Sequence, residues 1–85
     1  MIYTVGWSEE AENALTDIWM QAPDGQAVND ASLTIDRELR VNADQKGIPW
    51  GKHRLLLCPP LAALFEVDPG DCMVRVHIVK RISTP

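Results

Sequence analysis

The sequence offers little of what would mark it as secreted, membrane-spanning or metal-dependent. Only two cysteines, Cys58 and Cys72, stand among its 85 residues, too few for the bridge framework of a small secreted domain. Met1 leads straight into a strand-like run rather than a basic and then apolar leader, so no signal peptide is expected. The longest apolar runs fall far short of the roughly 18 residues that a membrane span needs. These absences predict a cytoplasmic chain with reduced thiols and no membrane partner. The histidines and cysteines, scattered over positions 53–77, lack the short paired spacing of a zinc site, so no metal and no cofactor is expected. Glycine-rich phosphate loops, a Ser/His/Asp set, internal repeats and low-complexity segments are all missing.

Positive charge is also scarce, and a net charge of −4 argues at first against a nucleic-acid partner. Its distribution changes that reading. Residues 1–45 carry nine acids against Arg37 and Arg40, a balance of −7. Residues 46–85 carry six cations against Glu66, Asp68 and Asp71, a balance of +3. A ligand meets local potential rather than net charge.

What remains is enough for one domain over residues 1–85, with 46% apolar residues to build a core. Ile2–Trp7 alternates as a strand does. Ser8 then offers a hydroxyl to the free N–H groups of a helix start, and Glu9, Glu10 and Glu12 suit the positive end of its dipole. Ala11, Ala14, Leu15, Ile18, Trp19 and Ala22 form an apolar stripe at helical spacing, so Trp7 and Trp19 are both expected in the core. Pro23-Asp24-Gly25 stops this helix. A second, from about Gln26 to Val41, carries Val28, Ala31, Ile35 and Leu39. Residues 42–52 read as a loop, with Trp50 as its anchor or as a partner contact. Arg54–Cys58, Leu61–Val67 and Cys72–Arg81 read as strands, with Pro59-Pro60 and a type II turn at Asp68-Pro69-Gly70-Asp71 between them. The expected fold is α+β in the order β-α-α-β-β-β, a helical hairpin on one face of a four-stranded antiparallel sheet.

Side chains alternate along a strand, so the faces can be sorted. Val74, Val76 and Ile78 predict an inward row. Arg75, His77, Val79 and Arg81 then share the open face with Ala62, Leu64 and Glu66, while Lys80 falls on the helix side. The strand Arg54–Cys58 is apolar almost throughout and cannot be assigned this way.

The opening Tyr3-Thr4-Val5-Gly6-Trp7-Ser8, with Ala11 and Leu15 after it, resembles the RelE/ParE superfamily of type II toxin–antitoxin toxins. So do Pro60-Leu61, Leu64-Phe65-Glu66-Val67-Asp68, the Val74-x-Val76-x-Ile78 strand and the element order. The resemblance spans nearly the whole chain and rests on apolar and turn positions. It implies a cognate antitoxin as partner, and as target either mRNA on the ribosome or DNA gyrase. RNA cleavage of the RelE kind needs a base for the 2′-OH proton and cations for the charge that builds on phosphorus. Carried onto this sequence, His77 becomes the acid/base group and Arg81 its catalytic companion. Arg75 holds the phosphate, and Lys52 or Arg54 reaches the RNA backbone from the sheet edge. Two departures predict weak or absent cleavage: Ala62 stands where such nucleases carry an arginine, and no further Tyr- or His-bearing segment precedes Pro85. A non-enzymatic gyrase inhibitor, or a module that mainly docks its antitoxin, is the competing expectation.

Overall fold

The computed structural model describes residues 2–82; Met1 and the chain end beyond Ile82 lie outside the described residues, and so do the expectations that fall on them. The elements are β1 (Thr4–Trp7), α1 (Glu9–Gln21), α2 (Gly25–Leu39), a 3-10 turn (Ala43–Gln45), β2 (Ile48–Trp50), β3 (His53–Cys58), β4 (Leu61–Asp68) and β5 (Met73–Arg81). Both helices are capped as their sequences require. Ser8 Oγ accepts from Ala11 N at 3.0 Å, and Asp24 Oδ1 accepts from Ala27 N at 3.1 Å.

The strands lie in the order β1-β5-β4-β3-β2. Among the described residues the sheet therefore has five strands where four are expected, and it is mixed: β1 runs parallel to β5, and every other pair is antiparallel. The extra strand comes from the segment read as a loop. Pro49 argues against a ladder position, but β2 is an outer strand, where a missing N–H costs nothing if it faces away from the partner. The approach of this segment to β3 is close: Gly47 has φ 69°, and a Cβ there would collide with the Leu55 carbonyl.

The core lies between the helices and one face of the sheet. Val28, Ala31, Ile35 and Leu39 of α2 meet Leu61, Ala63 and Phe65 of β4 and Val74, Val76 and Val79 of β5, all buried. Phe65 is the largest fully buried side chain. Removing apolar surface of this size from water contributes about 1.5–3 kcal/mol per side chain. Trp7 packs partly buried against this core, as expected.

Trp19 does not: it is 54% exposed. Its indole covers the link between the helices, where a Cβ on Gly25 would sit 3.0 Å from Nε1. The apolar stripe of α1 thus runs off the core at its C-terminal end, and only Ala11 of α1 is fully buried. The β4–β5 turn also differs from its expected type. Gly70 is not left-handed; the positive φ of 52° falls on Cys72, and Asp68 Oδ1 accepts from Asp71 N at 3.2 Å. A carboxylate closing the turn removes the need for glycine at its third place. Both cysteines are free, and no helix among the described residues is long and apolar enough to cross a membrane.

Candidate functional site on the open sheet face

An irregularity in β5 builds the site. Val76 pairs with Phe65 and Ile78 pairs with Leu64, so His77 is one residue too many for the ladder. Such a β-bulge turns the strand and re-aims the side chains that follow. Before it, Val74 and Val76 point inward; after it, Val79 is inward at 3% exposure and Ile78 is outward at 39%. The bulge is tied to the first helix. Ser8 N donates to the Val76 carbonyl at 2.9 Å, and Ser8 Oγ donates to the His77 carbonyl at 3.2 Å. One hydroxyl therefore caps α1 and satisfies the bulged backbone together.

The His77 imidazole lies on the face opposite the helices, with Nε2 3.0 Å from Glu66 Oε2. Glu66 is also the ladder partner of Arg75. His53, at the start of β3, presents its ring edge-to-face to His77, with centroids 5.2 Å apart and planes at 87°. One donor atom from each of His53, Glu66 and His77 lies within 4.8 Å of the other two. The three come from adjacent strands and are partly open to solvent. A carboxylate on one imidazole nitrogen fixes the tautomer and leaves the other nitrogen able to accept a proton.

Around this cluster the face is more apolar than expected. Trp50 pairs with His53 across the β2–β3 ladder and is 60% exposed. Ile48, Leu57 and Ile78 are exposed on the same side, which follows from their outward-facing partners Leu55, Ala62 and Leu64. Arg75 borders the histidines, and Lys52 lies in the exposed turn that precedes His53.

Two expected members are elsewhere. Arg81 pairs with Leu61 on the helix side and lines a cleft with Asp24, Ala27, Val28 and Pro60, so it does not share a face with His77. The physical reason is the bulge, which reverses the alternation after residue 77 and brings Lys80, opposite Ala62, to the open face instead. Arg54 opposes Phe65, and its guanidinium straps the loop before β2: Nε donates to the Lys46 carbonyl at 2.7 Å and Nη2 to that of Gly47 at 3.3 Å. His53 is the residue that sequence reasoning missed. Its strand is apolar on both faces, so alternation carries no signal there.

The groups with displaced acidities lie on the helix side. Burial, and then the Asp44 charge that accepts its hydroxyl at 3.3 Å, push the Tyr3 phenol up. The Lys46 ammonium, 2.9 Å away, holds Glu38 below the usual carboxylate range. Burial and then Glu38 raise the Cys58 thiol, which makes it a poor nucleophile.

No protein-family model matches the sequence, and no curated protein does. Solved structures do resemble the fold. A chain of the chromosomal ParDE toxin–antitoxin system of P. aeruginosa superposes with a TM-score of 0.78 at 20% identity, covering 96% of this chain and 98% of that one. The RelBE2 toxin–antitoxin complex of Mycobacterium tuberculosis contains a chain with a TM-score of 0.77 at 12% identity, over 99% and 95% of the two chains. The archaeal RelE–RelB complex from Pyrococcus horikoshii OT3 gives 0.68 at 15% identity over the full length of both. This is the RelE/ParE fold. Within it, the open face of this chain carries a His/Glu/His cluster, and Ala62 lies on the same side of the sheet, opposite Lys80, with Leu64 between it and Glu66.

Proposed function

We propose that this chain is the toxin of a toxin–antitoxin pair and that it cleaves RNA weakly at the open face of its sheet. The observation that carries the reading is the contact of His77 with both Glu66 and His53 on a solvent-accessible surface bordered by cations. With Nε2–H donated to Glu66, Nδ1 of His77 takes the proton of a ribose 2′-OH. The 2′-oxygen then bonds to phosphorus, and the bond to the 5′-oxygen breaks. His53, when protonated, returns a proton to that leaving oxygen, and the product is a 2′,3′-cyclic phosphate. Arg75 and Lys80 offset the charge on the phosphoryl oxygens, and Lys52 attracts the backbone. Trp50 supplies a ring on which an unpaired base stacks, a contact worth about 1–3 kcal/mol per base. Ala62 in place of an arginine removes one phosphate ligand, which is why the activity is expected to be weak.

The antitoxin is the partner that this surface needs when it is silent. Exposed Ile48, Trp50, Leu57 and Ile78 form an apolar strip beside the cluster, which a flexible segment can cover as it orders on binding. The test is a translation extract with defined mRNA and purified chain. Message cut during translation, with ends carrying cyclic phosphate and with the activity lost in His77→Ala, is the expected result. Intact message at micromolar protein removes the nuclease reading. Inhibition of DNA supercoiling without RNA products would put a gyrase inhibitor in its place.

A further inference from the structure

We propose that His53, Glu66 and His77 also form a binding site for a divalent transition-metal ion of the zinc and cobalt class. Their spacing in sequence is long and irregular, which is why the sequence alone argues against a metal. The sheet supplies the proximity that the spacing lacks. β3, β4 and β5 are neighbours, and the bulge turns the His77 ring toward Glu66.

The three donor atoms already lie within 4.8 Å of one another, and His77 Nε2 and Glu66 Oε2 are at 3.0 Å. A tetrahedral ion held at about 2.0–2.2 Å from nitrogen and oxygen ligands sets its donors roughly 3.3–3.6 Å apart. Side-chain rotations that bring the widest-spaced donors roughly 1–1.5 Å closer reach that spacing. The donor set selects the ion. Two imidazoles with one carboxylate suit zinc or cobalt, whereas calcium and magnesium favour all-oxygen shells. Three protein ligands leave a fourth position to water on the open side of the sheet.

The site deepens the one assigned above, and one consequence rests on that reading. A bound ion takes His77 Nε2 away from Glu66 and engages His53, which removes the contact that holds Nδ1 as base and the group that returns the proton, so it silences RNA cleavage. Metal binding itself does not depend on the nuclease reading.

The experiment is a titration of the untagged, metal-free chain with Co²⁺, followed by visible d–d absorption and by quenching of tryptophan emission. The expected result is a saturable 1:1 complex that Zn²⁺ displaces, with part of the quenching lost in Trp50→Phe because Trp50 is the ladder partner of His53. His53→Ala and His77→Ala are each expected to weaken binding by more than about 100-fold, beyond the 10–100-fold typical of outer-shell changes. Asp36→Asn, on α2, leaves it unchanged. Far-UV circular dichroism confirms that each variant is folded. An absorption spectrum that remains that of the aqueous ion overturns the site, and so does an affinity unaltered by His53→Ala. The RNA assay then separates the two readings. Metal binding by a chain that never cleaves RNA keeps the site and discards the nuclease. Cleavage that continues at saturating Zn²⁺ overturns the shared use of His77.

Discussion

The two faces of this sheet are built from the same strands and obey different rules. The helix side is closed by Phe65, Val74, Val76 and Val79, each at or near zero exposure, and a change of one methyl group is felt there. The open side mixes exposed Trp50, Ile48 and Leu57 with Arg75, Lys80 and the His/Glu/His cluster. Nothing in its packing demands those residues. Stability is concentrated on one face and the proposed chemistry on the other, so substitutions on the two faces are expected to separate folding from activity.

The sharpest way to break the contrast is Phe65→Ala. It should cost about 3–5 kcal/mol, a large part of the roughly 5–15 kcal/mol that holds a domain together, and urea titration should show it as a collapse of the midpoint. His77→Ala, one step along the neighbouring strand, should lower RNA cleavage by at least about 100-fold. The same variant should change unfolding free energy by no more than about 0.5 kcal/mol, as for a surface site.

Ser8→Ala tests the link between the faces. Loss of the cap should cost about 1 kcal/mol and also reduce cleavage, since the His77 carbonyl loses the hydroxyl that steadies the bulge. Ser8→Thr should restore both.

The smallest effect concerns acid. The folded state holds the Glu38 carboxyl below its ordinary value of 4.5 because Lys46 donates to it. The unfolded chain takes up that proton more readily. The ion pair therefore contributes fully above the ordinary value, and its contribution fades as pH falls through the lowered one. Stability measured between about pH 3 and 6 should fall less steeply on the acid side in Lys46→Gln than in the parent.

Much of this architecture is legible in the residues. Ser8, Pro23-Asp24-Gly25 and Pro59-Pro60 mark where elements start and stop through capping and missing donors, and the helical hairpin over one sheet face follows from the two apolar stripes. The parts that were not legible share a cause. β2 is three residues long and contains Pro49, so it carries no alternation to read. The bulge hides because Ile78 and Val79 are both apolar; either can face the core without burying a charge. The parallel pairing of β1 with β5, and the meeting of His53 with Glu66 and His77, join positions far apart in the chain. Local propensity has no information about such contacts. Arg75 and His77 lie on the face that alternation predicts because they precede or form the irregularity, and Arg81 does not because it follows.

That dependence on counting has a genetic corollary. An in-frame loss of the Val79 codon, with the bulge kept at His77, would bring Lys80 opposite Ala63 on the helix side and Arg81 opposite Ala62 on the open face. Two cations would trade places with no substitution of either, so in this strand the address of a side chain is set by arithmetic along the backbone and not by its own chemistry.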